Sequence, residues 1–190
     1  MTRAVVAALV FLAGAQVAHA NLPKGPLWGF LRHTASIRQG VGPARLYVFF
    51  DPNCPYCHRL YEALQPLIRR TGLAVRWVPV GILALSSYGK AAALLEATDP
   101  AATLARMEQG FRNGRGALRP ARATARVAHG LLYNVRLFEA SGAQGVPFLV
   151  FRTPAGNVRT VEGDPPGAAL ARIVAGVTGP SRSKSQRVVP

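Results

Sequence analysis

The sequence predicts one α/β domain in which a βαβ half and a ββα half are separated by a helical insertion at about residues 84–141. The first observation is a continuous apolar, aromatic run of strand length, Leu46–Phe50, that leads into an amphipathic helix and a second strand. The second is a pair of strand-like runs joined by a Gly-Asn turn, followed by a closing helix. At 190 residues, 49% of them hydrophobic, the chain can bury a core, and no apolar run has the roughly 18 residues of a membrane span.

Residues 1–20 have the pattern of a signal peptide. Arg3 begins a short basic region, residues 4–17 are nearly all apolar, and Ala18-His19-Ala20 is a small-x-small cleavage site. We therefore expect cleavage after Ala20 and export to an oxidising compartment, where a cysteine pair can hold a disulfide. An uncleaved anchor is the alternative, although this apolar stretch is short for a span.

An N-terminal helical segment is predicted for residues 21–44, ahead of a catalytic domain at residues 45–178. Its apolar face would consist of Leu27, Trp28, Phe30, Leu31 and Ile37. Residues 179–190 begin with a Gly-Pro pair that is followed by a polar, basic stretch, so we expect a disordered tail.

The βαβ half begins with the apolar strand, which stops at Asp51-Pro52 because a residue before proline favours extended geometry. A helix is predicted from about Cys54 to Thr71, with Gly72 as its C-terminal stop. A second strand follows at Ala74–Val80. Such a unit calls for a right-handed crossover and parallel strand pairing.

Helical patterns occupy the middle of the chain, and the ββα half follows them. The predicted helices are Ser86–Thr98, one opening at Asp99-Pro100, and Ala121–Ala140. The remaining elements are the strands Pro147–Phe151 and Val158–Val161 and a helix from about Pro166 to Val174. This order resembles the thioredoxin architecture with an inserted helical subdomain.

Cys54-Pro55-Tyr56-Cys57 lies where the first strand gives way to a helix. An i, i+3 spacing on a helical turn brings the two Cα atoms about 5–6 Å apart, as a disulfide requires. Cys54, at the positive end of the helix dipole, is the expected nucleophile, and Cys57, one turn further in, is the expected resolving thiol.

Three other interpretations of the Cys54/Cys57 pair remain open beside a redox-active dithiol. A purely structural disulfide would close too short a loop to stabilise the fold by much. With His58 the string reads C-x-x-C-H, the c-type haem attachment motif, but after signal cleavage Met107 is the only methionine left as a second axial ligand. A copper or zinc site could use the same three side chains. We expect no cofactor and no metal.

The residues around the cysteines have two interpretations each. Asp51 either caps backbone N–H groups or accepts a proton from Cys57, and the cap is favoured. His58 is expected on the helix surface, where it could tune Cys54 together with Pro55 and Asp51. Tyr56 is assigned to substrate binding.

Gly145-Val146-Pro147 opens the strand that follows the long helix. In a thioredoxin fold a cis-proline loop faces the dithiol at this point, and a cis peptide bond costs little only before proline. The backbone of Val146 would then pair with an extended substrate segment. A trans proline that begins an edge strand is the alternative.

The run Phe49–His58, followed by the helix at Leu60-Tyr61-Glu62, resembles the catalytic domain of the periplasmic DsbC/DsbG thiol-disulfide interchange proteins. Similar features recur in the same order: Val78–Ile82, Asp99-Pro100, Gly145-Val146-Pro147 and Glu162-Gly163. The resemblance covers about Arg45 to Gly176. It implies Cys54 as the attacking thiol, Cys57 as the resolving thiol and Pro147 as the cis-proline.

This resemblance implies a periplasmic thiol-disulfide oxidoreductase, most simply an isomerase or reductase. It would form a mixed disulfide at Cys54 with cysteine-containing envelope or secreted proteins, and a membrane redox partner would recycle it. Two departures stand out. The isomerases carry an N-terminal dimerisation domain, which we expect this chain to lack, so a monomer is expected rather than a dimer. They usually have Thr before the cis-proline, whereas Val146 resembles the oxidase branch, so a DsbA-like oxidase is the alternative. A Cys/His metal-binding chaperone is the alternative from another class.

The formal net charge is +15, from 23 Lys and Arg against 8 Asp and Glu. Such a field attracts anionic surfaces, but the arginines are scattered, so we expect no nucleic-acid partner. Arg119, Arg122 and Arg126, at i, i+3 and i+7, could form a helical stripe that docks an acidic partner, or a solvated face.

Overall fold

The computed structural model describes residues 26–178 of the chain. The signal peptide predicted for residues 1–20 and the tail predicted for residues 179–190 lie outside the described residues. The described helices are α1 (Pro26–Leu31), α2 (Pro55–Thr71), α3 (Ser87–Glu96), α4 (Pro100–Gln109), α5 (Ala125–Ala140) and α6 (Gly167–Thr178). The described strands are β1 (Ile37–Gln39), β2 (Ala44–Phe50), β3 (Ala74–Pro79), β4 (Phe148–Arg152) and β5 (Val158–Glu162). None of these helices combines the length and the apolar character that crossing a membrane requires.

The five strands form one sheet in the order β1-β3-β2-β4-β5. β2 pairs in parallel with β3 and antiparallel with β4, so the strand that leads to Cys54 lies at the centre of the sheet. β4 and β5 form an antiparallel hairpin, and its turn includes Gly156 at a φ of +86°, a conformation that glycine adopts without strain. The α/β fold class, the parallel βαβ unit and the hairpin are confirmed.

Two apolar layers cover the sheet, because successive side chains of β2 point to opposite faces. Leu46, Val48 and Phe50 join the core that includes side chains of α2 and α6. Tyr47 and Phe49 join the core that includes side chains of α1 and α5. A third, smaller cluster connects α3 to α5 and is formed by Ala91, Ala92, Val127 and Leu131.

The segment predicted as helical, residues 21–44, contains a short helix and then a strand. The predicted apolar face is incomplete, since Phe30 is half exposed and Ile37 belongs to β1. Ile37 pairs with Trp77 of β3 and is buried in a different core from Leu31. The prediction of one helical face is wrong because the edge of β3 offers Ile37 backbone partners and burial, which spacing along the sequence does not reveal.

The helix α5 begins four residues later than predicted, at Ala125. Thr124 is its N-cap, and the hydroxyl of this residue accepts a hydrogen bond from an amide of the first turn. Arg119 and Arg122 therefore lie in the irregular segment before α5, and the helical stripe predicted for them with Arg126 does not exist.

Candidate active site

Cys54 and Cys57 lie one turn apart at the start of α2, directly after the central strand. Cys54 is the N-cap residue, with φ −90° and ψ 116°, and its Sγ accepts a hydrogen bond from the Cys57 amide at 3.3 Å. The sulfur thus takes the place that a serine or aspartate oxygen takes at most helix N-termini. Pro55 occupies the first turn, where a missing N–H is tolerated. Both cysteines are free thiols, 2% and 1% exposed.

The two thiols differ in acidity. A hydrogen bond with the Cys57 side chain is the largest influence lowering the pKa of Cys54, and the backbone amides of Cys57 and Tyr56 lower it further. Burial and the charge of Asp51 oppose this effect on the pKa of Cys54. Burial raises the pKa of Cys57 well above its ordinary value, and the hydrogen bond with Cys54 adds to the rise. Cys54 is therefore the thiol that ionises first, while Cys57 stays protonated.

The loop before β4 lies against Cys54. The Val146–Pro147 peptide bond is cis, as predicted, and the Cys54 thiol donates a hydrogen bond to the Val146 carbonyl at 3.4 Å. The Pro147 carbonyl accepts from the Gly163 amide at 2.8 Å, which ties the loop to the end of the hairpin. The backbone of Val146 is therefore held beside the sulfur that ionises first.

Asp51 organises the backbone beneath the cysteines. Its side chain is 1% exposed, and its Oδ1 accepts from the Asn53 amide at 2.8 Å and from the Ser87 hydroxyl at 2.7 Å. Its Oδ2 accepts from the amides of Ile82 and Leu83 at 2.6 and 2.9 Å. These four bonds are the geometry of the capping role, and they join the β2–α2 loop to the loop after β3.

Lys90, which the sequence analysis missed, supports the same loop from α3. It is 6% exposed, and its Nζ donates to Asn53 Oδ1 at 2.7 Å and to the Gly116 carbonyl at 2.6 Å. Burial lowers the pKa of Lys90 and the charge of Arg115 lowers it further, while the charge of Asp51 opposes both. The one available signal was compositional, since Lys90 is one of only three lysines in an arginine-rich chain.

His58 turns toward the helical insertion. Its Nδ1 lies 2.8 Å from Glu108 Oε2, its Nε2 lies 3.5 Å from Glu62 Oε2, and its ring stacks on Phe111 at 4.4 Å and 5°. Glu108 is buried in α4, and burial raises the pKa of its carboxyl to about 7 although the His58 bond opposes the rise. His58 is thus partly covered, and Glu108 is a second residue that sequence reasoning missed.

Tyr56 lies between the two cysteines, and about half of its surface is open to solvent. The Arg59 guanidinium lies over the Tyr56 ring at 4.5 Å, and Arg59 Nε donates to Asp164 Oδ2 at 3.0 Å. A cation on one face of the ring orients it. Among residues 26–178, no three His, Cys, Asp or Glu side chains are grouped as metal ligands would be.

The family model described as "Thioredoxin-like domain" matches residues 33–178. Over 151 residues the chain is 32% identical to the thiol:disulfide interchange protein DsbG of Pseudomonas aeruginosa. The match covers 78% of this chain and 58% of that protein. Over 135 residues it is 29% identical to the DsbG of Escherichia coli, covering 70% of this chain and 53% of that protein. A periplasmic thioredoxin-like protein from Salmonella enterica serovar Typhimurium has a similar fold, with a TM-score of 0.66 at 21% identity, covering 81% of this chain and 97% of that structure. The chain therefore spans little more than half the length of the two curated relatives.

Proposed function

The chain belongs to the thioredoxin-like domain family, and from this premise we propose that it is an exported thiol-disulfide oxidoreductase. It exchanges disulfides with cysteine-containing envelope or secreted proteins through a mixed disulfide at Cys54. The observation that carries the proposal is the difference between the two thiols: the pKa of Cys54 is lowered at a helix N-terminus, and the pKa of buried Cys57, one turn away, is raised.

The first step is attack of the Cys54 thiolate on one sulfur of a substrate disulfide. A bond forms between Cys54 Sγ and that sulfur, the substrate S–S bond breaks, and the second substrate sulfur leaves as a thiolate that takes up a proton. Ionisation of Cys54 also removes the donor of its bond to the Val146 carbonyl, which frees that carbonyl for an amide of the substrate. Tyr56 offers its open ring face to the same bound segment.

Two steps can follow the mixed disulfide. In isomerisation, another substrate thiolate attacks the mixed disulfide, a different substrate disulfide forms, and Cys54 leaves as a thiolate. In reduction, Cys57 loses its proton and attacks Cys54 Sγ, so the substrate leaves as a thiol and the Cys54–Cys57 disulfide carries away the oxidising equivalents. A membrane redox partner then returns two electrons to the pair, and no cofactor is required.

The name of the two curated relatives favours the isomerase or reductase direction, whereas Val146 before the cis-proline favours a DsbA-like oxidase. We propose the former, for a monomeric periplasmic protein. Proposed roles follow the geometry of the site: Cys54 attacks, Cys57 resolves, Val146, Pro147 and Tyr56 bind substrate, and Pro55, Asp51 and His58 tune the thiols.

The experiment is a redox trap in the envelope of cells that express the protein. Acid quenching, alkylation with a mass tag and electrophoresis give the state of the cysteine pair, and a Cys57→Ser variant should accumulate mixed disulfides with envelope proteins. A matched Cys54→Ser variant should accumulate none. A mostly reduced pair supports an isomerase or reductase, a mostly oxidised pair overturns that direction, and the absence of mixed disulfides in Cys57→Ser overturns the function itself.

A further inference from the structure

Five exposed arginines follow one another, without an acidic residue among them, in a segment that begins beside the candidate site. Residues 109–126 contain no Asp or Glu. We call the exposed arginines of this segment the arginine strip; they are Arg112, Arg115, Arg119, Arg122 and Arg126. None of the five forms a salt bridge with any residue that the structure describes. The Arg112 guanidinium donates to the backbone carbonyls of Gln109 and Phe111, but no described carboxylate pairs with it as Asp164 pairs with Arg59.

The strip begins on a hairpin that is built into the active-site loop. Arg112 and Arg115 exchange backbone hydrogen bonds at 3.0 and 2.9 Å around a turn in which Asn113 and Gly114 have φ values of +50° and +70°. This is the backbone conformation of a tight two-residue hairpin turn, for which Asn-Gly is the preferred sequence. The two guanidinium groups are thus carried on a short, ordered projection.

Gly116 attaches this projection to the residues before Cys54. Its amide donates to the Pro52 carbonyl at 3.0 Å, and its carbonyl accepts from Lys90 Nζ, which also holds Asn53. A Cβ at Gly116 would lie 2.5 Å from the Pro52 carbonyl oxygen, so only glycine permits this approach. The position of the hairpin is therefore set by the active-site loop itself.

The far end of the strip runs along α3. The Ala121 amide donates to the Gly89 carbonyl at 2.9 Å, and Thr124 donates twice to Glu96 Oε1. The charge of Arg126 acts on Glu96 as well, so the distal end of the strip has an acidic neighbour. Arg112 and Arg115 are thus the two arginines on the hairpin attached to the active-site loop, and neither forms a salt bridge with a described residue.

We propose that the arginine strip is a docking surface for acidic polypeptide segments that flank the reacting cysteine of a substrate or redox partner. The inference rests on the proposed function and names a substrate class for the same site. A guanidinium fork matches a carboxylate in bidentate geometry, which suits recognition of Asp and Glu side chains.

The test measures disulfide exchange between the reduced protein and three peptides that differ only in flanking residues. Each peptide carries one cysteine, joined in a disulfide to 2-mercaptoethanol, with Asp, Gln or Lys at the flanking positions. Electrostatic steering should make the Asp peptide react about tenfold faster than the Gln peptide at low salt, and the Lys peptide slowest, with the differences disappearing at high salt. Hydroxyethyl disulfide, which is small and neutral, reports exchange at Cys54 independently of the strip.

Variants locate the effect on the protein. Arg112→Gln with Arg115→Gln should remove most of the preference for the Asp peptide and leave the rate with hydroxyethyl disulfide unchanged, and Arg112→Glu with Arg115→Glu should reverse the order of the peptides. The matched control, Arg69→Gln with Arg70→Gln, removes the same charge at the other end of α2 and should keep the preference.

Equal rates with all three peptides, or equal loss of preference in the control pair, would overturn the docking surface while the proposed function stands. Absence of reaction with hydroxyethyl disulfide would overturn the proposed function instead. A lipid surface is tested by sedimentation with vesicles of phosphatidylcholine and phosphatidylglycerol. If Arg112 and Arg115 are required for vesicle binding and the peptides react alike, the strip binds membranes and the proposal is wrong.

Discussion

Replacing Glu108 by glutamine should change how the free energy of unfolding depends on pH. The carboxyl is 4% exposed, and burial raises its pKa from 4.5 to about 7 despite the hydrogen bond from His58. Because this pKa rises on folding, the carboxyl favours the folded state below about pH 4.5, and that contribution is lost as the pH rises through about 7. Glutamine has nearly the same shape and carries no charge at any of these pH values.

The size of the effect follows from the shift. At 1.36 kcal/mol per pKa unit, a rise from 4.5 to about 7 corresponds to about 3 kcal/mol. We therefore expect the free energy of unfolding of Glu108→Gln, relative to the wild type, to increase by about 3 kcal/mol between about pH 4.5 and about pH 8. Urea denaturation followed by tryptophan fluorescence at several pH values in this window measures the difference.

Glu62→Gln is the matched control, since this carboxylate also faces His58, at 3.5 Å, but is 66% exposed. Its difference from the wild type should stay nearly constant over the same pH range, because an exposed ion pair contributes little. The reasoning would be refuted if the free energy of unfolding of Glu108→Gln relative to the wild type did not vary with pH. It would also be refuted if the wild type became more stable relative to the variant toward pH 8.

Three further predictions concern the loop and the helices around it. Asp51→Asn should lower the pKa of Cys54, because the Asp51 charge raises it; the ultraviolet absorbance of the thiolate against pH measures this, and an unchanged pKa would contradict the electrostatic argument. Lys90→Met leaves the buried Asn53 Oδ1 without its donor, while the Gly116 carbonyl keeps the Leu118 amide, so this change should destabilise the protein by about 1–3 kcal/mol in urea denaturation; a loss below about 0.5 kcal/mol would show that the bonds are dispensable. Gly89→Ala puts a Cβ 2.6 Å from the Pro120 side chain and should destabilise the protein by about 1–3 kcal/mol. Gly176→Ala meets open space on an exposed helix face and should stabilise the protein by about 1 kcal/mol. Melting temperatures of the two variants that shift in the same direction would contradict these two expectations.

Local patterns predicted the parts of the site that neighbours in sequence determine. The apolar run of β2, the stop at Asp51-Pro52 and the position of Cys54 at the start of a helix all follow from residues within one strand and one helical turn. The cis bond before Pro147 was also predictable, because only an X-Pro bond adopts that geometry at low cost.

Local patterns could not predict contacts between residues that are far apart in the sequence. Glu108 and His58 are 50 positions apart, and Lys90 and Asn53 are 37 apart, so no local period brings either pair together. Ile37 shows the same limit, because a helical spacing of apolar residues fits a short strand equally well when the strand's partner is unknown. These long-range contacts depend on how the helices of the insertion pack. That packing is determined by the core as a whole and cannot be read from a local sequence pattern.

Ser87 contacts Asp51 and Lys90 contacts Asn53, and these contacts have consequences for motif grafting and for sequence variation. Both supporting side chains come from α3, within the insertion, whereas the cysteines belong to the βαβ half. A graft of residues 51–57 into a small homologue without the insertion would lose the Ser87 bond to Asp51 and the Lys90 bond to Asn53, although Asp51 would still accept from the Asn53 amide. Chimeras that exchange the insertion should therefore keep a working motif only when Asp51, Asn53, Ser87 and Lys90 are all retained. Natural variation at these four positions should be correlated.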